Sequence, residues 1–273
     1  MNPEGMKRGK QMTNKSLSKN RIEQGLTGCG FVSELFVFEE LDSTNSYVKK
    51  LADEGVPEGA VVVAGRQSKG RGRLGRSFYS PEDTGIYMSI LLRPEIDLQQ
   101  SVRITSMAAV AVAEAIETVS KVHAGIKWVN DIYLDGKKAC GILVEAGIDA
   151  QEQKLNSAVL GIGINVGKMD FPEELSEIAT SVSNVCGFEI ERENLTVEVI
   201  RSLEKWYPTI LDGSFLKESK RRSILLGKGI RVHNYDGSCY EAHAVDLDDM
   251  GHLLIERDGK KEYLDSGEVS VRL

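Results

Sequence analysis

Residues 66–76 read Arg-Gln-Ser-Lys-Gly-Arg-Gly-Arg-Leu-Gly-Arg, and this stretch concentrates groups able to do chemistry. Gly70, Gly72 and Gly75 give the backbone conformations closed to other residues and let it approach a ligand closely. The N–H groups of such a loop form an anion-binding concavity. Arg66, Lys69, Arg71, Arg73 and Arg76 add positive charge. A guanidinium holds phosphate or carboxylate through paired hydrogen bonds. The loop therefore suits a polyanionic small molecule such as a nucleotide. Its glycine spacing is neither G-x-x-x-x-G-K-[S/T] nor G-x-G-x-x-G. A solvated basic loop or an RNA-binding tract is the alternative reading, and charge and glycine alone do not choose between them.

Other groups have weaker signals. Ser43-Thr44-Asn45 offers two hydroxyls and an amide, suited to a ligand with mixed donors and acceptors, but the same residues also make a helix N-cap. Lys138 follows the turn pair Asp135-Gly136, where an edge lysine is the simpler expectation. His123, His233, His243 and His252 form no nucleophile–base pattern and read as structural or surface residues. Cys29, Cys140, Cys186 and Cys239 contain no C-x-x-C pair, which excludes the common zinc spacings and points to free thiols in a reducing compartment. Cys140 reads as core.

The elements that must position these groups are legible from periodicity. Short apolar runs at 35–38, 60–64 and 86–92 read as strands, and 126–129, 132–134, 141–145 and 158–166 as four more in succession. Tyr47, Val48, Leu51 and Ala52 follow helical spacing, as does the 102–119 run. Further helices are expected over 173–181 and 195–207, with Pro208 closing the second. From about residue 227 the pattern changes to short strands separated by glycine turns, which suggests a small β-barrel. The expected class is α/β (α+β). A leader over 1–30, disordered or weakly helical, precedes a mixed sheet flanked by helices over 31–226, and the barrel occupies 227–273.

A formal charge of −7 argues against nucleic acid as a partner, since phosphate contacts need a basic surplus. No apolar run approaches the roughly 18 residues needed to cross a bilayer, and the polar N-terminus lacks a signal-peptide core. The cytoplasm is the expected location.

Several motifs in order carry a family resemblance. The G-R-G-R-x-G-R loop is preceded by Ser43-Thr44-Asn45 and followed by Ser80-Pro81 and Gly85-Ile86-Tyr87-Met88-Ser89. Then come Lys127-Trp128-Val129-Asn130-Asp131, Lys138-Ala139-Cys140-Gly141-Ile142-Leu143-Val144-Glu145 and Gly161-Ile162-Gly163-Ile164-Asn165-Val166. Together they resemble the biotin–protein ligases, from about Leu35 to the C-terminus. Val129 stands where the family usually has proline, and Phe78 where relatives often have tryptophan; both stay apolar. With only about thirty mostly polar residues before the first core strand, the helix-turn-helix domain that many members carry is not expected.

The resemblance implies ATP and Mg²⁺ as cofactors and biotin as substrate. The implied reaction makes biotinyl-5'-adenylate, then transfers biotin to a lysine of a biotin carboxyl carrier protein. It implies that Ser43, Thr44, Asn45 and Gln67 lie against the biotin head group, joined by Arg71, Gly72, Arg73 and Lys138. Gly70, Arg71, Arg73, Arg76, Phe78, Trp128, Asn130, Asp131 and Asn165 fall on the ATP and adenylate side. Lys138 and Arg73 are the implied catalytic pair. Asp131 is a candidate Mg²⁺ ligand, with an ion pair as the alternative. A monomer or homodimer, with no membrane partner, completes the expectation. A lipoate ligase on a related fold and a biotin-sensing repressor are the rival readings.

Overall fold

The computed structural model describes residues 16–149, 154–234, 236–265 and 268–271. In chain order its elements begin with helix α1 (Lys19–Gly25), strand β1 (Glu34–Leu41), helix α2 (Thr44–Asp53), and strands β2 (Ala60–Gln67) and β3 (Gly85–Leu92). Helix α3 (Val102–Ser120) follows, then β4 (Gly125–Lys127), β5 (Asp131–Leu134), β6 (Lys137–Asp149) and β7 (Lys154–Asn165). Helices α4 (Glu173–Ser176), α5 (Val182–Cys186), α6 (Arg192–Trp206) and α7 (Leu216–Arg222) come next. The chain closes with β8 (Gly229–His233), β9 (Cys239–Leu247), β10 (Leu253–Arg257), β11 (Lys260–Leu264) and β12 (Glu268–Val271).

Among the described residues the first seven strands form one sheet in the order β1-β2-β3-β7-β6-β5-β4. Only β1 and β2 run parallel; the other pairs are antiparallel, so the sheet is mixed as expected. Every residue of β3 is buried, because helices cover both faces. Helix α3 buries Ile104, Met107, Ala111 and Ile116 against one face and packs on α6. Helix α2 covers the other with Val48 and Leu51, over Val62, Leu91 and Val159.

The structure sharpens one expectation, corrects a second and adds a helix. Residues 1–15 of the expected leader lie outside the described residues, and 19–25 are helical, the helical alternative of that reading. The Ser18 hydroxyl caps that helix, Ile22 is fully buried, and Arg201 of α6 donates to the Gly25 carbonyl at 2.6 Å. An i, i+4 pair, Ile22 and Leu26, carried the signal. The helix expected over 173–181 ends at Ser176. Its continuation pairs with β6 instead: Lys138 donates its N–H to Ile178 O at 2.9 Å, and Thr180 returns one to Lys138 O at 2.9 Å. Tertiary pairing outweighs helical propensity there. Helix α7 was not anticipated. It supplies Arg222, whose side chain is 4% exposed between Glu117 and Glu218, each at 2.7 Å.

That buried guanidinium shapes stability. Burial alone would raise the Glu117 carboxyl, but the Ala124 N–H and Arg222, with His123, hold it below its ordinary value. Arg221 and Arg222 do the same for Glu218 against a smaller burial effect. Both carboxyls titrate lower folded than unfolded. Their contribution is therefore complete above the ordinary carboxylate range and is lost as pH falls through the lowered folded values. Arg222→Ala is expected to lower unfolding free energy by about 3–5 kcal/mol at pH 7. The deficit relative to the parent should shrink below about pH 4, where the carboxylates protonate. Urea unfolding of both proteins across this range checks it; a pH-independent difference would count against the pairing.

The last five strands form an antiparallel sheet in the order β11-β10-β9-β8-β12. The Asp258-Gly259 turn between β10 and β11 has positive φ at both positions, the geometry of a tight type I′ hairpin. The expected turn at 266–267 lies outside the described residues. This sheet has its own apolar cluster, which recruits Trp128 and Val129 from the first sheet's side of the molecule. Polar contacts reinforce the junction. Trp128 Nε1 donates to Gly251 O at 2.9 Å, Arg103 to Asp249 O at 2.7 Å, and Lys220 pairs with Asp246 at 2.9 Å. No helix among the described residues is long and apolar enough to cross a membrane.

Candidate active site

The site lies on β6 and β7, under the glycine-rich loop. Gly141 and Gly163 are cross-strand neighbours. A Cβ on Gly163 would sit 2.6 Å from Phe78 Cε1, and one on Gly141 would sit 3.2 Å from Phe78 Cε2. A Cβ on Gly161 would overlap Asn45 Oδ1. The glycines thus make a flat floor on which the Phe78 ring and the Asn45 amide rest. Gly163→Ala should displace Phe78 at a cost of about 1–3 kcal/mol. The prediction is a lower Tm together with a smaller Tm rise on adding biotin and ATP; a full ligand-induced rise would mean that Phe78 does not shape the cleft.

Ser43, Thr44, Asn45, Gln67, Arg71, Gly72, Arg73, Arg76, Phe78, Trp128, Asn130, Asp131 and Lys138 all line one cleft. At its polar end the first turn of α2 points at the sheet. Ser43 caps that helix through Ser46 N, so the cap reading holds, and the same residue lines the cleft. Thr44 and Asn45 are nearly fully buried. Gln67 Oε1 accepts the Thr44 N–H at 2.8 Å, and Gln67 Nε2 donates to Ser80 Oγ at 3.3 Å. Asn45 Nδ2 donates to Glu145 at 2.7 Å. Beneath them Ser89, fully buried, lies 2.7 Å from Thr44 Oγ1 and 2.6 Å from Asn45 Oδ1.

The same cleft is also cationic. Arg71 pairs with Glu145 at 3.0 Å, and Arg73 donates to Asn130 Oδ1 at 3.1 Å. Lys138 Nζ lies 2.7 Å from Asp131 Oδ1. A bulge puts Lys138 there. Tyr133 pairs with Lys138 but Ile132 pairs with Cys140, so Ala139 is the extra residue. A bulge of this kind re-aims the neighbouring side chain. Positive φ at Asp135 and Gly136 confirms the tight turn that sets this register. Cys140 next to it is fully buried, and burial pushes its thiol up, away from reactivity.

Two residues taken for the ATP side do not line this cleft. Asn165 donates to Thr180 O at 3.1 Å, holding the 178–180 segment to the sheet. Gly70 braces the loop, since its Cβ would come within 2.6 Å of Phe78 O and Ser80 Oγ. Trp128 lines the cleft but also belongs to the second apolar cluster. Glu145 and Ser89 were not singled out from sequence. A lone serine inside the wholly buried β3 was the available signal.

Asp131 was a candidate Mg²⁺ ligand. Among the described residues no three His, Cys, Asp or Glu side chains gather as a cation site. The Asp131 carboxylate is engaged by Lys138 at 2.7 Å, which is the ion-pair arrangement.

The mixed sheet thus carries one cleft lined by hydroxyls, amides and clustered cations. Residues 37–165 match the Biotin/lipoate A/B protein ligase family, and residues 225–272 match the Biotin protein ligase C terminal domain. The bifunctional ligase/repressor BirA of Bacillus subtilis (strain 168) is 39% identical over 247 residues, covering 88% of this chain and 74% of that protein. The biotin–[acetyl-CoA-carboxylase] ligase of Mycobacterium tuberculosis is 28% identical over 263 residues, 93% of this chain and 95% of that one. The biotin protein ligase from Aquifex aeolicus, solved with biotin and ATP, superposes with a TM-score of 0.74 at 29% identity, covering 88% of this chain and 99% of that chain. The chain belongs to the biotin–protein ligase family.

Proposed function

We infer that the protein activates biotin with ATP and transfers it to a lysine of a biotin carboxyl carrier protein, working in the cytoplasm. One observation carries this reading: a recess of hydroxyls and amides opens into the same cleft as Arg71, Arg73, Arg76 and Lys138. Ser43, Thr44, Asn45 and Gln67 offer donors and acceptors to a ureido ring. The apolar floor suits the thiophane and valeryl chain. The carboxylate then falls among the cations.

In the first half-reaction a biotin carboxylate oxygen attacks the α-phosphorus of ATP, and pyrophosphate leaves. Lys138 and Arg71 neutralise the carboxylate and the α-phosphate as they meet, and Arg73 and Arg76 receive charge developing on the leaving group. This is catalysis by positioning and charge stabilisation. In the second half-reaction the carrier lysine amine attacks the acyl carbon, AMP leaves with the bond electrons, and the amine proton is lost. Loop 70–76 shields the mixed anhydride from water until then. Transfer of labelled biotin to a carrier domain, dependent on ATP, tests the reading. Lipoate in place of biotin separates it from the lipoate alternative. Label transfer with lipoate alone would overturn it.

A further inference from the structure

We propose that Ser89 and Glu145 are positioning residues that fix the hydrogen-bond polarity of the head-group recess. Thr44 then meets the ligand as an acceptor, and the site selects a ring that offers an N–H there. The proposal rests on the reading of the cleft as a biotin site.

The argument is a count of protons. An ionised carboxylate only accepts. Glu145 takes Asn45 at 2.7 Å on one oxygen and Arg71 at 3.0 Å on the other. Asn45 must therefore turn its NH₂ towards Glu145, which leaves Oδ1 facing Ser89 Oγ at 2.6 Å. Two acceptors at that distance repel, so the single Ser89 proton goes to Asn45. The Ser89 oxygen is then free to accept from the Thr44 hydroxyl, 2.7 Å away.

Gln67 is the only competing acceptor for that hydroxyl among the described contacts, at 3.1 Å. Its Oε1 also accepts the Thr44 N–H at 2.8 Å, and a second lone pair remains, so the hydroxyl proton goes to Ser89 by the shorter contact or to Gln67, and in neither case to the ligand. The Gln67 amide cannot turn over, because Nε2 faces Ser80 Oγ, whose own proton goes to Phe78 O at 2.9 Å. The ordered chain runs Thr44 to Ser89 to Asn45 to Glu145. Thr44 keeps lone pairs for the ligand and no proton. Ser89, Thr44 and Asn45 are each at most 5% exposed, and at that burial an unmade hydrogen bond is costly. Ser89 does not line the cleft, so it acts through its neighbours. Gly161 makes the arrangement possible by leaving room for the Asn45 amide.

The test compares the intact protein with Ser89→Ala and Ser89→Cys in biotin-dependent pyrophosphate release. Ser89→Ala is expected to raise the biotin KM about tenfold, with kcat and the ATP KM within about twofold. The decisive probe is a biotin analogue with one ureido N–H replaced by a ring oxygen, a cyclic carbamate, tested as both isomers. The parent should discriminate against one isomer by about a hundredfold, since two acceptors would face each other at Thr44. In Ser89→Ala the Thr44 hydroxyl is free to turn and donate, and that discrimination should fall about tenfold. Ser89→Cys, with a weak S–H donor of similar size, should lie between. Unchanged discrimination in Ser89→Ala would overturn the proposal, even if the variant melts earlier, and would leave Ser89 a packing contact. A parent with no biotin-dependent release would overturn the functional reading and this inference with it. Normal turnover with unchanged discrimination would overturn only the inference.

Discussion

Lys138→Ala is expected to slow adenylation by about two to three orders of magnitude, the usual cost of removing one preorganised charge-stabilising donor. The bulge at Ala139 aims this lysine into the cleft, and Asp131 holds its ammonium at 2.7 Å. The group is thus in place before charge develops, and little reorganisation is needed when the carboxylate meets phosphorus. The substitution also frees the Asp131 carboxylate, which is 17% exposed; its uncompensated negative charge would repel both reactants. Lys138→Arg should recover part of the rate, because a guanidinium keeps the charge but not the point-like geometry. Rapid-quench measurement of biotin-dependent pyrophosphate release reads the effect, with thermal unfolding as a control for the fold. Normal adenylation in Lys138→Ala would return the residue to an ordinary edge lysine.

The second large effect is expected at Arg73. It begins a single 3-10 turn, Arg73–Gly75, and reaches Asn130 across the cleft at 3.1 Å. Asn130 is itself fixed by donating to Ile142 O at 3.1 Å. The guanidinium therefore spans the loop and the floor, where a phosphate can be bridged. Arg73→Gly should weaken biotinyl-adenylate binding by about 1.5–3 kcal/mol, the range for a charge-assisted hydrogen bond. Biotin recognition should change less, because the recess around Thr44 is untouched. Adenylate that escapes will acylate exposed lysines without selection. Dissociation of the adenylate and off-target labelling, measured for variant and parent, check this; labelling still confined to the carrier lysine would sink it.

Much of this site was legible because motif order and chemistry agree. The cleft gathers Ser43-Thr44-Asn45 and the loop arginines, which residue type and spacing suggested, with Gln67, Asn130, Asp131 and Lys138, which the family resemblance implied. Strands announced themselves by apolar runs, and β3 and α3 fall within a residue or so of their expected ends. What stayed hidden depended on contacts distant in sequence. Asn165 carries a ligand-like amide in a ligand-like motif, yet the 178–180 segment claims it, and no local pattern foretells that. Ile178 and Thr180 leave helix to pair with Lys138. Ser89 looks like a fault in an apolar strand until Thr44 and Asn45 are folded over it. Arg222 sits in a short basic run that reads as surface, and its burial depends on Glu117, distant in sequence at the end of α3, as well as on its near neighbour Glu218.

Trp128 faces two ways. It lines the cleft, while its indole N–H is held by Gly251 of the second sheet's β9–β10 turn. Any ligand whose affinity depends on the pose of that ring must therefore be coupled to the seating of the second sheet. Linkage makes the coupling reciprocal: if occupancy of the cleft favours the seated sheet by some factor, the seated sheet favours occupancy by the same factor. A protein partner that touches only the outer surface of β8–β12 would then have a thermodynamic route to the nucleotide without approaching it.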